Sequence, residues 1–493
     1  MAIIKRYDAN GYDWHVYHRS TGTGNYLLLN TTGAAASGSI VTGTSNTTIT
    51  LSQSNGMNTS GASYLVYLFA HNDDDGGFGE PGDQDIIKCG SYTGNNSTTG
   101  PVIDLGFEPQ WLFIRHTDAN GNSSFILDNM RGVVTGGNDN SLSPNANSDE
   151  QTSSDLVEFN ATGFQLKRAN DNVNGNSNNY IYMAIRRGGM QTPTAASSVF
   201  TVDDGMAANT SSVPGFTANH VVDLGLSTTT SSASRVLGTR LLGDTFLITE
   251  GTDAKTANSV ARTSGYQNGF FFTNGSADST RTGWMWARAR GYFDVVTYTG
   301  DNSQHNENHN LGVVPEMIWT KSHNHTYEWG VYHKDIGVGA ADGLNGTGLT
   351  LDTNDGLNAG ADSPLYQHPT ATQFQPRGRQ NQTKDYVAYL FATVAGVSKV
   401  DSFTQSGATN VACGFSGDTP SFIILKRTDA SGNWYLFDSV RGIVAGNDPH
   451  YYLDTTDAEI TNADIVDPYS GGFATTANLA NGDYIFYAIA AIS

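Results

Sequence analysis

One phrase recurs along the chain, and it constrains the fold more than any other feature. A strand ending in a basic residue runs into a polar turn and out into an aromatic strand. It reads Lys5-Arg6-Tyr7-Asp8-Ala9-Asn10-Gly11-Tyr12-Asp13-Trp14 near the start and Lys426-Arg427-Thr428-Asp429-Ala430-Ser431-Gly432-Asn433-Trp434 near the end. Between them stand Ile114-Arg115-His116-Thr117-Asp118-Ala119-Asn120-Gly121-Asn122 and Thr320-Lys321-Ser322-His323-Asn324-His325, which runs on to Trp329. Asn and Gly tolerate positive φ, so Asp-Ala-Asn-Gly is hairpin-turn chemistry. The slot after the turn also repeats, as Val16-Tyr17-His18-Arg19, Ile126-Leu127-Asp128-Asn129-Met130-Arg131-Gly132, Val331-Tyr332-His333-Lys334 and Leu436-Phe437-Asp438-Ser439-Val440-Arg441-Gly442. Three copies are preceded by a proline and a strand, at Pro109, Pro315 and Pro420.

Each unit closes on an aromatic strand that ends near alanine. These strands begin at Tyr64, Tyr180, Trp284, Tyr386 and Tyr484, about 100 residues apart. A fixed period across a whole chain marks a repeat architecture. The division it gives is a short first repeat over 1–72, an acidic Gly-rich linker over 73–82, and further repeats over 83–189, 190–291, 292–396 and 397–493. The third repeat is diverged. It keeps Val221-Val222-Asp223-Leu224-Gly225-Leu226, Phe246-Leu247-Ile248 and Gly269-Phe270-Phe271-Phe272 but has lost the turn phrase. The first lacks the opening strands of the others, which predicts an unpaired sheet edge. Such edges recruit partners, so another chain or another protein is expected to complete it.

Charged residues are only 15 % of the chain, with Gly, Asn, Ser, Thr and Asp in their place; these are turn residues. Aromatic residues reach 11 %, which argues against disorder, and no long 3.6-residue stripe suggests helix. About six to nine strands per repeat is the content of a sandwich. The fold class is therefore all-β, with tandem jelly-roll-like β-sandwich repeats of about 100 residues. A propeller blade of roughly 40–50 residues is too short for this period.

The formal charge is −21, from 47 acidic and 26 basic residues, with no Lys/Arg run. Phosphate backbones and anionic membranes both need clustered cations, so neither nucleic acid nor membrane insertion is expected. No apolar run is long enough to span a bilayer, and the start, Met1-Ala2-Ile3-Ile4-Lys5-Arg6, lacks the apolar core of a signal peptide. Cys89 and Cys413 fall in different repeats and read as free thiols.

Candidate sites are few. The stretch 72–85 offers several oxygens to a hard cation, but Gln84 stands where an EF-hand loop from Asp73 would place its bidentate Glu, and the stretch reads as a solvated linker. His305, His309, His323, His325 and His333 cluster in the fourth repeat without the tight spacing of a zinc site; His323 and His325 align with the exposed turn. Asp128 and Asp438 each precede an arginine by three residues (Arg131, Arg441), which reads as a structural pair. Tyr12, Trp14, Tyr327, Trp329, Trp434 and Tyr435 follow a hairpin tip, where aromatics stack on sugars but also pack in cores. No HExxH, paired CxxC, G-x-S-x-G or phosphate loop is present. The reading is a protein with no catalytic, metal or cofactor residues.

These phrases resemble the repeat of virion proteins of marine tailed phages, the cyanophage type included. The residues that carry the likeness are Asp85-Ile86-Ile87-Lys88-Cys89-Gly90-Ser91-Tyr92-Thr93-Gly94-Asn95, Leu105-Gly106-Phe107-Glu108-Pro109-Gln110-Trp111, Tyr298-Thr299-Gly300-Asp301, Asn310-Leu311-Gly312-Val313-Val314-Pro315 and Trp434-Tyr435-Leu436-Phe437-Asp438-Ser439-Val440-Arg441-Gly442. The resemblance implies a lectin-like β-sandwich fold for the repeats and a virion structural protein, a tail fibre or appendage contributing to host attachment, assembled in the host cytoplasm without a signal peptide. A capsid decoration or another tail component is the neighbouring reading. A polysaccharide depolymerase or a free lectin acting on surface glycans is the alternative of another class. The implied partners are other virion proteins, further copies of the chain (three-fold by the phage analogy) and a host surface glycan.

Overall fold

The strand before each turn phrase is apolar at consecutive positions, so both of its faces must be covered. A computed structural model of the protein describes residues 1–53, 56–75, 85–188, 191–204, 221–257, 280–338, 348–357, 363–417 and 419–492, and in it both covers are present. In Phe422–Arg427, Ile423 and Leu425 join one core with Phe437 and Phe473, while Phe422 and Ile424 join another with Trp319 and Tyr487. In Pro109–His116, Leu112 and Ile114 pack with Phe159 and Phe164, whereas Phe113 packs with Val16 and Met183. The first kind of core fills a sandwich. The second kind lies between neighbouring sandwiches.

The protein is all-β, built of antiparallel sheets; the helical elements among the described residues are short 3-10 turns. No helix there is long and apolar enough to cross a membrane. One strand order recurs in the larger sheets: lead, closing, hub, return. The lead strands are Ile87–Thr93, Phe200–Asp204, Phe293–Thr299 and Ser398–Gln405. The closing strands are Tyr64–Leu68, Asn179–Arg186, Arg281–Trp286, Asp385–Phe391 and Gly482–Ile489. The hubs are Ala2–Arg6, Pro109–His116, Leu224–Thr229, Met317–Ser322 and Phe422–Arg427. The returns are Trp14–Tyr17, Phe125–Asp128, Val236–Thr239, Gly330–His333 and Trp434–Asp438. The diverged segment follows the same order although its turn phrase is gone. Its Gly269-Phe270-Phe271-Phe272 lies outside the described residues.

Smaller sheets face four of the larger ones among the described residues, for example Val102–Asp104 with Val157–Asn160 and Gly163–Leu166, or Thr409–Ala412 with Val466–Tyr469 and Gly472–Thr475. A Cβ on Gly163 would sit 1.9 Å from the Ile103 carbonyl oxygen, and one on Gly472 2.0 Å from that of Val411, so only glycine lets these strands approach. The two sheets are pinned by a buried carboxylate. Asp139 accepts the N–H groups of Leu156 and Val157 at 2.7 and 3.0 Å, and Asp448 those of Ile465 and Val466 at 3.0 and 2.9 Å. Burial pushes Asp139 up to about 7 despite these bonds.

The chain forms two compact units, Met1–Gly188 and Gly189–Ser493. The first holds two of the larger sheets, which share the core around Val16, Phe113 and Met183. The second holds three of the larger sheets among the described residues, sharing the core around Trp284, Trp319, Phe422 and Tyr487. The sheet of residues 1–72 has no lead strand among the described residues, so Tyr64–Leu68 is its edge, with Leu65, Tyr67 and Leu68 exposed.

Candidate binding surface

The junctions between sandwiches start from one local bond. The residue opening each return strand, or just before it, donates its backbone N–H to a side chain on the tip that follows: Trp14 to Asn30, Ser124 to Asn145, Arg235 to Glu250, Trp329 to Asp352 and Trp434 to Asp454, all within 2.7–3.0 Å. This bond holds the tip in place and puts the five segments in register. Five residues further on, the tip N–H reaches the next sandwich. Ala35 donates to the Thr117 carbonyl at 2.8 Å, Lys255 to His323 at 2.8 Å, Leu357 to Thr428 at 2.8 Å and Glu459 to Thr230 at 3.1 Å.

The last of these turns the second unit into a cycle. The third segment contacts the fourth, the fourth the fifth, and the fifth returns to the third. Side chains repeat the circuit. The Trp329 indole N–H donates to Ile248 O at 3.0 Å, and that of Trp434 to Thr350 O at 2.9 Å. At the position equivalent to the two tryptophans stands Arg235, whose Nε donates to Tyr452 O at 2.9 Å and whose Nη2 donates to Asp457 O at 2.6 Å. Buried cations on the hub strands add to two junctions, with Lys321 Nζ 3.0 Å from Thr252 O and Lys426 Nζ 3.5 Å from Thr353 O. Burial pulls both lysines down to about 8. In the first unit, Arg115 Nη2 donates to Gly33 O at 2.6 Å.

The residues singled out from the sequence divide sharply. Trp329 and Trp434 are fully buried in junctions, so they are core material and not sugar platforms. Trp14 is half-buried, stacked on Tyr67 at 6.4 Å. Tyr12 lies under Arg6 at 4.4 Å and Tyr327 packs at a tilt against His325 at 4.2 Å. Tyr435 packs against Phe437, 6.0 Å between ring centroids. The histidines do not converge. His323 was expected in an exposed loop but is buried, because the preceding sandwich covers it through the Lys255 bond, and burial drives it down to about 3. His309 and His333 are buried apart from it, while His305 bridges Asp301 and Glu307 at 2.9 and 2.8 Å. Burial pushes Glu307 up to about 7.

In the acidic stretch, Asp85 pairs with Lys88 at 2.5 Å and Asp75 accepts from Asn72 at 3.3 Å. Glu80 and Asp83 lie outside the described residues. No group of three His, Cys, Asp or Glu among the described residues is placed to hold a metal ion. Cys89 and Cys413 are free and buried. Asp128 with Arg131 and Asp438 with Arg441 are ion pairs, at 3.2 and 2.6 Å. Each pair is a triad: Arg131 also meets Glu150 at 2.7 Å, and Arg441 meets Glu459 at 3.2 Å. Sequence reasoning did not find Glu150 or Glu459, since their distance along the chain hides the link.

Fold and junctions together define a multi-module, all-β sandwich protein whose chemistry is concentrated at module contacts. The chain belongs to the family described as Domain of unknown function (DUF7483), which it matches over residues 1–187 and 229–492. No curated protein and no solved structure matches it.

Proposed function

We propose that the protein is a structural component of a phage particle, a tail fibre or appendage that displays β-sandwich modules and contributes to host attachment. The observation that carries this reading is the cyclic closure of the second unit. Its junctions bury tryptophans and cations and hold three sandwiches in fixed relation, an arrangement suited to presenting outward loops under mechanical load. The sequence resemblance to virion proteins of marine tailed phages supports the same reading.

The test is mass spectrometry of gradient-purified particles from a host carrying the gene, followed by adsorption assays with antibodies against the protein. Recovery in constant copy number per particle, with adsorption blocked by the antibody, is the expected result. Absence of the chain from purified particles refutes the reading.

A further inference from the structure

The first unit contains the same kind of junction as the second, but only one of them among the described residues. Its two sandwiches make the tip-to-hub contact through Ala35 and Thr117, and His18 Nε2 reaches across to the Tyr182 carbonyl at 3.0 Å. Three such steps close the cycle in the second unit. In the first unit the circuit stops after one, and the groups that would make the other two are present.

On one side stands the hub and turn of residues 1–72. Lys426, which reaches the preceding tip, also bonds its own turn at Gly432 O, 2.6 Å away. Its equivalent Lys5 bonds the turn, at Tyr12 O, and no tip carbonyl among the described residues. The Trp434 indole N–H has Thr350 O, whereas that of Trp14 has no acceptor among the described residues. Thr428 O accepts the Leu357 N–H, whereas Tyr7 O accepts no backbone N–H there. The sheet face beside them is open. Tyr67 is 44 % exposed, while its equivalents Tyr389 and Tyr487 are 0 % and 1 % exposed.

On the other side stands the triad Asp128, Arg131 and Glu150. Its counterpart Asp438, Arg441 and Glu459 is covered by the next sandwich, whose Trp284 donates its indole N–H to Asp438 Oδ2 at 3.0 Å and lies 5.3 Å under the Arg441 guanidinium. The Arg441 side chain is 4 % exposed. The Arg131 side chain, in the same ion-pair geometry, is 40 % exposed. The Glu150 N–H, equivalent to that of Glu459, donates to no carbonyl among the described residues.

We propose that the first unit is an incomplete cycle whose third seat is taken by a further β-sandwich module of this same family, one that lies outside residues 1–493. The two edges specify its chemistry. It presents an indole N–H to Asp128 from its closing strand, and tip carbonyls with a backbone N–H to Lys5, Trp14 and Tyr7. Continuity with the three junctions of the second unit argues for this occupant. A second copy of the chain does not fit the seat. Its first unit arrives as a joined pair, and the joined neighbour would fall where residues 1–72 or residues 85–188 already stand. The modules of its second unit are engaged on both sides. This inference does not rest on the virion reading.

The test is zero-length carbodiimide cross-linking of the full-length protein in its native complex, with linked peptides identified by mass spectrometry, whatever particle or cell the complex comes from. Lys5 and Glu150 are expected to link to one and the same module of this family, with a sequence outside residues 1–493. Amide exchange over Tyr64–Leu68 is expected to slow roughly tenfold or more relative to the isolated chain. An R131E variant, altered at an exposed site, is expected to keep its fold by circular dichroism and to lose the partner. Links only to further copies of this chain, links to a polypeptide without such a module, or an exchange rate unchanged from the isolated chain would each overturn the proposal.

Discussion

Two triads of one design, buried in one unit and exposed in the other, make a controlled experiment on what burial does to an ion pair. Consider D438N and D128N. Asp438 is fully buried, and its Oδ2 accepts Arg441 Nε at 2.7 Å and the Trp284 indole N–H at 3.0 Å. An amide keeps the shape and one acceptor oxygen but removes the charge. Arg441 is then left in the junction, almost wholly desolvated, with Glu459 at 3.2 Å as its remaining counter-ion. Breaking a buried pair by neutralising one partner costs about 3–5 kcal/mol, and Glu459 places the expected loss at the lower end, about 3 kcal/mol. Asp128 also caps the following turn, accepting the Arg131 N–H at 2.7 Å, and an asparagine oxygen keeps that bond. Its ion pair is with a guanidinium already in water, worth roughly 0–1 kcal/mol.

The assay is urea unfolding of the full-length variants read by hydrogen-exchange mass spectrometry, so that peptides of each unit report separately. D438N is expected to lower the stability of 190–493 several-fold more than D128N lowers that of 1–188. Equal losses in the two variants, or a D438N loss under about 1 kcal/mol, would refute the argument that the cyclic junction sets the strength of the pair.

Three further outcomes follow from the same geometry. W434F keeps most of the ring packing but removes the bond to Thr350 O; a loss of about 1 kcal/mol is expected on thermal unfolding, against 3–5 kcal/mol for W434A. Burial drives His18 down to about 4 from 6.5, so the folded state stays neutral while the unfolded chain takes up a proton as pH falls below 6.5. Stability is therefore lost on acidification from pH 6.5 toward 4, by about 2 kcal/mol at pH 5, and H18Q should remove that part of the slope when denaturation midpoints are compared at pH 5 and 7. G163A and G472A force a Cβ against a carbonyl oxygen; each is expected to cost about 3 kcal/mol by calorimetry, with the loss confined to the unit that carries it.

The sequence made the hub, return and closing strands legible because their signals are local: a turn phrase, a run of aromatics, a proline before the strand. It also made the unpaired edge at Tyr64–Leu68 legible, since the opening strands are missing from residues 1–72. What it hid was the second covering of each hub strand. A strand apolar on both faces, such as Phe422–Arg427, shows that two layers exist but not which segments supply them. His323 was misplaced for this reason: its own turn leaves it exposed, and only the neighbouring tip at Lys255 buries it. The Asp–Arg spacing was visible at Asp128 and Asp438, but not that one pair is sealed by Trp284 from another segment. Arg235 had no visible role, because its equivalence to Trp329 and Trp434 rests on strand pairing and not on residue type.

That last substitution explains why the third segment diverges most. In a cycle of three identical modules, any module can take any seat, and the chain could close in several registers or exchange modules with another copy. Here the three junctions differ in their central donor: an indole onto Ile248 O, an indole onto Thr350 O, and a guanidinium onto Tyr452 O and Asp457 O. The guanidinium needs two carbonyls where an indole needs one, so the closing junction rejects the wrong neighbour through an unpaired buried charge. A further bond from the Thr249 hydroxyl to Leu453 O at 2.6 Å strengthens the same contact, and the Glu459 N–H returns one to Thr230 O at 3.1 Å. The same logic applies to the open seat of the first unit: Lys5 and Trp14 on one edge and the Asp128 triad on the other are unlike edges, so a module can dock there in one orientation only.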